Sequence, residues 1–477
     1  FDPELYIEIL TMTGHGIMGI TTETSVTLVF YFIAFASVYS ASGGGQLFID
    51  LALRAVGRQK GGAAKSAVIS SALFGTISGS AVANVVATGV FTIPLMKRTG
   101  YSPEYAGAQE ALASTGGQLM PPVMGIAAFV MAELLQVPYS RIALAGAIPA
   151  IAYYFALFMI VDLRARRTGI GSLAPDDLAN TLPVLPRLHL FLAPLSLIAC
   201  LFLGYSATYA ALMGTGVAFV APFLRKNTRP TRQMVRPMFD DIGKQASGVA
   251  IPIAAIGIII AVAIQSNLAI KFSTRLMEIS GGTLLGAMIF IIIGCIIMGM
   301  GMPTVAAYII GAVLFVPALR KLGIPELAAH MFVMYYCVLS MITPPVALAS
   351  YAAASLAKAN FMRTGWIAFR QSIVLFLIPF AFAFDDALLW NGPLWWILIA
   401  FSSLCVGTVA WAVTLEGYLG GVISWAERGL FCFASLAIIF APTGTIWWGV
   451  GTALAVGLGV WCYTLRPRWL TPAQPGQ

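Results

Sequence analysis

Apolar runs long enough to cross a bilayer, about 20 residues each, recur from Ser25 to Tyr463 with only short polar loops between them. In lipid such runs satisfy their backbone as helices, so the pattern predicts an all-α polytopic membrane protein. The runs are not alike. Those at 25–41, 141–161, 247–264 and 365–384 are continuous and predict plain helices. Two stretches, 45–58 and 268–279, keep their apolar positions on one helical face and predict amphipathic arms. Two more, 66–96 and 284–319, are apolar at both ends and broken in the middle by Gly with Ser or Pro, which predicts helical hairpins. The runs 104–135 and 326–357 predict helices interrupted by a double proline.

These elements form two copies of one unit. Pro94, Gly100 and Pro121-Pro122 return as Pro317, Gly323 and Pro344-Pro345, each 223 residues later (317−94, 323−100, 344−121). The same offset carries Lys97-Arg98 onto Arg320-Lys321 and Asp162 onto Asp385. Loop charge sets the orientation of the copies. Arg164, Arg166 and Arg167 share a side with Arg225, Lys226, Arg229, Arg232 and Arg236, because one helical pair (188–204 and 209–224) lies between them. With that side cytoplasmic, Arg54, Arg58, Lys60, Lys65, Lys97 and Arg98 also fall inside if the first hairpin is re-entrant. The second hairpin then opens outward, with Arg275, Arg320 and Lys321 as exceptions.

The expected fold is therefore two inverted repeats, each with a re-entrant helical hairpin and a broken helix. The expected division runs as follows: 1–65, an N-terminal scaffold helix and arm; 66–140, the first hairpin and broken helix of a transport unit; 141–283, scaffold helices and the second arm. The second hairpin and broken helix (284–357) complete the transport unit, and 358–477 supply C-terminal scaffold helices with the C-terminus cytoplasmic. Shifting the pair 188–204 and 209–224 back by 223 residues reaches residue 1 or beyond, so an upstream helical segment is expected before Phe1.

Composition narrows the function. A chain 59% hydrophobic and only 10% charged is not an ordinary soluble protein. Its formal charge of +8 is no nucleic-acid signature, because Lys and Arg sit in short loops and no basic face interleaved with aromatics is present. The six cysteines stand singly in apolar runs, without metal-ligand or redox spacing. No Ser/His/Asp, HExxH or Walker-type pattern is present, so neither hydrolase chemistry nor ATP coupling is supported.

The chemistry is concentrated at the breaks. The first hairpin tip reads GTISGSAVAN from Gly75 to Asn84. An unwound Gly-Ser turn inside a bilayer survives only where protein or a wet cavity satisfies its backbone. The hydroxyls of Ser78 and Ser80, the Asn84 amide oxygen and freed carbonyls are hard oxygen donors suited to a small cation. The second tip reads GMGMPT from Gly299 to Thr304, where Pro303 withholds a donor from the Gly299 carbonyl beside Gly301 and the Thr304 hydroxyl. Pro121 and Pro122 likewise free the carbonyls of Gly117 and Gln118, and Pro344 and Pro345 those of Ser340 and Met341, next to Thr343. The plainer alternatives are a small-residue packing interface at the first tip and a proline kink at the second. Half-helix N-termini facing the cavity would attract an anionic group. Glu110 and Glu133 border the first broken helix and Asp162, Asp385 and Asp386 sit at helix ends, so all five read as interfacial anchors before intramembrane sites. His15, His189 and His330 lie near loops and read as solvated or interfacial.

Three stretches also resemble a known family: GTISGSAVANVVATGVFTIPLMKRTGY (Gly75–Tyr101), GGQLMPPVMGIAAFVMAE (Gly116–Glu133) and GMGMPTVAAY (Gly299–Tyr308). They are similar to the large membrane subunit of tripartite ATP-independent periplasmic (TRAP) transporters, of the fused type paired with TAXI-class binding proteins. The resemblance covers about residues 14–385. It implies an elevator-type, sodium-coupled importer in the bacterial inner membrane that takes an organic acid, usually a carboxylate, from a periplasmic TAXI-type binding protein. It also implies a small membrane subunit or a fused N-terminal segment in its place. The implied sodium sites fall at Ser78, Ser80 and Asn84 with Gly117, and at Gly299, Gly301 and Thr304 with Ser340 and Thr343. Substrate would meet Ser80, Asn84, Gln118, Thr304 and Thr343. A carrier that needs no binding protein, a channel, and a membrane enzyme are the competing classes.

Overall fold

A computed structural model describes residues 3–12, 16–179 and 181–465; His15 and the C-terminal end lie outside the described residues. The regular elements among the described residues are helices, apart from one isolated bridge between Tyr418 and Val422. Nine helices are long and apolar enough to cross a membrane among those residues.

The chain opens with α1 (Pro3–Met12), α2 (Ile20–Thr24) and, after a π-helical turn, α3 (Phe30–Ala41). The first arm is α4 (Gly44–Val56), and the first hairpin pairs α5 (Gly62–Ser78) with α6 (Ala81–Arg98). The first broken helix comprises α7 (Pro103–Gly116), a 3-10 turn at Gly117–Leu119 and α8 (Ile126–Leu134), and is followed by α9 (Tyr139–Thr168). A short α10 (Pro175–Ala179) leads to the pair α11 (Leu192–Phe202) and α12 (Ala207–Val220). The second run contains α13 (Arg232–Gln265), α14 (Leu268–Ile279), α15 (Leu284–Gly299), α16 (Thr304–Lys321), α17 (Glu326–Leu339), a 3-10 turn at Ser340–Ile342, α18 (Leu348–Ala357) and α19 (Phe361–Phe384). The last helices are α20 (Leu394–Glu416), α21 (Trp425–Phe440) and α22 (Ile446–Val460).

The two runs hold the same elements in the same order. The start of α16 lies 223 residues after that of α6 (304−81), and the starts of α17 and α7 differ by the same amount (326−103). Both double prolines carry a cis peptide bond. In each run the second half of the broken helix packs on the other run's hairpin, α18 against α6 and α8 against α16. The arms differ: α4 packs mainly on α5, whereas α14 packs on α16. Neither α5 nor α15 is long enough to clear the hydrocarbon core alone, since at 17 and 16 residues each rises about 25 Å against about 30 Å of hydrocarbon.

Two boundaries differ from the hydropathy pattern for the same reason. α13 begins at Arg232, well ahead of residue 247, and α9 runs on to Thr168 beyond residue 161. Both extensions are polar helix (RQMVRPMFDD and LRARRT), which a search for apolar runs cannot register.

Basic loops gather on one face. The Gly61 amide donates to the Gly171 carbonyl at 3.0 Å and the Leu173 amide to the Gly57 carbonyl at 3.0 Å. Arg98 pairs with Asp177 at 3.1 Å, and the Lys97 ammonium donates to the Ala357 carbonyl at 2.9 Å. That last bond puts the end of α18 at the open base of the first hairpin. Lys65 is not a loop charge. It is 2% exposed, and its ammonium lies 2.6 Å from the Asp162 carboxylate, which also takes Arg166 at 2.6 Å. Asp162 is therefore a buried counter-ion tying α5 to α9, because a buried ammonium needs a partner. Asp385, its repeat counterpart, does other work: it caps a 3-10 turn and accepts the amides of Ala387 and Thr443, both at 3.1 Å.

Candidate functional site

Both tips are built where helices stop for a local reason. At the first, Gly79 adopts φ +59, which ends α5, and the Ser80 hydroxyl caps α6 by accepting the Ala83 amide at 3.3 Å. At the second, α15 stops at Gly299, Gly301 sits at φ +78, and Pro303 is the N-cap of α16 with Thr304 as its first residue.

The first tip rests on the first helix break, backbone on backbone. A Cβ added at Gly75 would lie 2.3 Å from the Gly117 Cα, so only glycine permits this approach. The Val123 amide donates to the Thr76 carbonyl at 3.2 Å across the same contact. In the second run Gly299 meets Ser340 in the same way, with an added Cβ only 2.1 Å from the Ser340 hydroxyl.

Gln118 connects the two tips. Its amide nitrogen reaches the Gly79 carbonyl at 3.5 Å, and its amide oxygen accepts the Thr304 hydroxyl at 3.2 Å. Gln118 and Thr304 are 7% and 8% exposed, so this bridge is buried between the runs. Ser78 carries a buried hydroxyl with no hydrogen-bond partner among the described residues. The hydroxyls of Ser340 and Thr343 donate to the Cys337 and Leu339 carbonyls at 2.7 and 2.8 Å, which leaves their oxygen lone pairs available. Gly301 approaches Val346 of the second break, not Ser340.

Three of the carbonyls expected to be free are corrected. The Gly117 carbonyl accepts the Met120 amide at 3.2 Å, the Gln118 carbonyl the Gly125 amide at 2.7 Å and the Ser340 carbonyl the Thr343 amide at 3.1 Å, because the chain turns back on itself after each break. Asn84 is fully buried and braces the hairpin: its amide nitrogen donates to the Ser71 and Ser114 carbonyls at 2.9 and 3.4 Å, and its oxygen faces the Thr88 hydroxyl at 3.4 Å.

Glu110 is not interfacial. It is fully buried, and four hydroxyls from three helices converge on its carboxyl group. Ser71, Thr88 and Ser114 reach one oxygen at 3.1, 2.5 and 3.0 Å, and Thr92 reaches the other at 2.5 Å. The sequence signal was present but subtle: Thr88 and Thr92 stand four apart on one helix face, as do Glu110 and Ser114 on another. Glu133 is exposed, in keeping with a boundary position. His330 is buried and its Nδ1 lies 2.7 Å from the Tyr308 hydroxyl, so it packs inside the second run instead of meeting solvent.

A cavity of about 540 Å³ opens beside the first tip, between α3, α5, α6, α13 and the first break. Ser78, Gly79 and Ser80 line it, with the N-terminus of α6 facing in. Gln118, Thr304 and Thr343 are not on its wall. Opposite lie Ser37, Asp241 and Gln245, joined by bonds of 2.7 Å from the Ser37 hydroxyl and the Gln245 amide to the Asp241 carboxylate. The apolar pattern carries no signal for this trio, since Asp241 sits in the polar start of α13.

The donor set at the tips is one of neutral oxygens. Among the described residues no group of three His, Cys, Asp or Glu could hold a metal, so hydroxyls, amides and carbonyls are what the tips provide. Two helix-break tips carrying neutral oxygens, one of them beside a cavity, match the discontinuous helices that carriers use.

The comparison with known proteins decides the class. A family profile described as "Tripartite ATP-independent periplasmic transporter, DctM component" matches residues 6–390. The chain belongs to this family. The C4-dicarboxylate TRAP transporter large permease protein DctM of Pseudomonas aeruginosa is 26% identical over 347 residues, covering 69% of this chain and 77% of the relative. The protein of the same name in Vibrio cholerae is 26% identical over 372 residues, 72% of this chain and 81% of the relative. The sialic acid TRAP transporter large permease protein SiaM of Vibrio cholerae is 20% identical over 344 residues, 72% and 80% of the two chains. This TRAP permease is thus a multi-pass transporter and not an enzyme, of a type that works with a periplasmic substrate-binding protein and a small membrane subunit. Its helices α20 to α22 begin beyond the matched region.

Proposed function

We propose that this TRAP permease imports a small organic anion in symport with sodium across the bacterial inner membrane, receiving it from a periplasmic TAXI-type binding protein. The observation that carries the proposal is the Gln118 bridge, which ties the Gly79 carbonyl of one tip to the Thr304 hydroxyl of the other. A coupling site needs both tips to sense one occupant, and a single buried amide touching both provides the link. Relatives named for C4-dicarboxylate, sialic acid and 2,3-diketo-L-gulonate transport support an organic acid as the solute. The α6 N-terminus at the cavity wall would favour its carboxylate.

Sodium would be held at the first tip by the unpartnered Ser78 hydroxyl with neighbouring carbonyls, and at the second by oxygens of Gly299, Thr304, Ser340 and Thr343. The hairpins and broken helices would move together against the remaining helices, as an elevator. The Lys97 bond to Ala357 supports an inverted pair. A broken helix starts at its own hairpin's base and ends on the far side, so α18 ending at the first base puts the second base opposite. The arginine-rich face would be cytoplasmic by the positive-inside rule.

Thermal unfolding of the purified chain in NaCl and in KCl of equal ionic strength tests the ion. Wild type is expected to gain stability specifically in NaCl, by the linkage of binding to folding, and Ser78→Ala to lose much of that gain. An equal gain in Ser78→Ala removes this residue from the ion site, and no sodium-specific gain in wild type contradicts sodium coupling.

A further inference from the structure

A second cavity, of about 240 Å³, opens on the arginine-rich face and shares no lining residue with the cavity beside the first tip. It lies where the start of α7, the end of α9, the first turns of α19 and the end of α20 come together. Its floor is buried: Tyr105, Gln371 and Glu416 are 3%, 4% and 3% exposed. Its wall carries the guanidiniums of Arg164, Arg167, Arg363 and Arg370. Against these four stands one carboxylate, Glu416, which leaves a formal surplus of three positive charges (4−1).

The protein uses only part of this charge. Arg164 lies 3.5 Å from the Glu416 carboxylate and over the Tyr105 ring at 4.8 Å. Arg167 donates to the main-chain carbonyl of Glu416 at 2.6 Å. The side chains of Arg363 and Arg370 make no hydrogen bond or ion pair among the described residues. Positions 363, 367 and 370 form one face of α19, so both arginines line the cavity beside Ile367, with Arg370 within electrostatic reach of Glu416 but making no direct bond to it. The neighbouring face of the same turns is apolar and open, with Phe361, Met362 and Trp366 53%, 45% and 56% exposed. Cation-lined concavity and exposed apolar surface thus meet at one end of α19.

We propose that this pocket binds the phosphate group of an acidic membrane lipid. Guanidiniums match phosphate oxygens with paired donors, and the acyl chains of the same molecule would lie along Phe361, Met362 and Trp366. Solvated charges that merely obey the positive-inside rule would need neither a walled cavity nor two unpartnered arginines on one helix face. The ligand would join α19 to α9 and α20, because the ion pair in the pocket, Arg164–Glu416, ties α9 to α20 and leaves α19 out.

Native mass spectrometry of the full chain tests the site. The protein is delipidated, then incubated with phosphatidylglycerol, with phosphatidylcholine, or with inorganic phosphate. Wild type is expected to retain phosphatidylglycerol at least about tenfold over phosphatidylcholine. The double variant Arg363→Gln/Arg370→Gln should lose that preference, while Arg320→Gln, at the base of the other hairpin, keeps it. Because neither Arg363 nor Arg370 is paired, the double variant should fold; if it does not, Arg370→Gln alone is scored the same way. Equal retention by wild type and variant overturns the site. Retention of inorganic phosphate without any preference among lipids overturns the lipid as its occupant.

Discussion

At the level of single residues, the site turns on side chains whose polar atoms are committed inside the protein. Gln118 spends its amide on both tips, and replacing it by Ala removes the link while leaving each tip on its own helix. Gln118→Ala is expected to fold normally and to transport at least about tenfold more slowly, measured as initial uptake in proteoliposomes; wild-type rates in the variant would remove the bridge from the mechanism. Glu110 has a structural task beside the same tip. Truncation to Ala deletes the shared acceptor of four hydroxyls and opens a cavity, although Thr88 and Thr92 retain the Asn84 and Thr88 carbonyls at 2.8 and 3.1 Å as alternatives. A loss of about 2–4 kcal/mol is expected for Glu110→Ala, read from denaturant or thermal unfolding in detergent. An unchanged stability would mean that the four-hydroxyl cluster around Glu110 does not hold these helices together.

At the level of elements, most of the fold was legible because its signals are periodic or punctuated. Apolar runs located the helices, and prolines and glycines at a constant offset located the breaks, so the hairpins and double-proline helices appear where the sequence put them. What stayed hidden was contact between elements. Nothing in GTISGS announces that Gly75 lies against Gly117, yet that approach seats the first tip on the break. Gly75→Ala is expected to abolish uptake by lifting the hairpin, whereas Gly171→Ala, with nothing within 4 Å of the added methyl, should transport normally; matched uptake assays on both variants decide it. Equal activity in the two would mean that the tip is not seated as described. The Lys65–Asp162 pair was hidden for the same reason, since charge in a short polar loop and charge buried between α5 and α9 look alike in sequence. Of the candidate site, the residue types and the tips were readable, but which carbonyls accept a loop amide and which way Asn84 turns depend on the fold of the chain after each break.

At the level of the whole molecule, two runs of helices exchange their second broken halves, α18 onto the first hairpin and α8 onto the second. Neither run therefore completes its surroundings alone, and in the proposed mechanism a movement of one hairpin would be passed to the other through these crossed contacts and the Gln118 bridge. That arrangement suits a carrier whose two tips travel as one body, and it gives little support to a channel, which would need a continuous path between them. The direct test is accumulation. The permease is reconstituted in vesicles with its small membrane partner and binding protein, and offered an organic acid that the binding protein retains. The account predicts that an inward sodium gradient drives uptake above the external concentration, and that collapsing the gradient abolishes the accumulation. Accumulation that persists undiminished without a sodium gradient would contradict it.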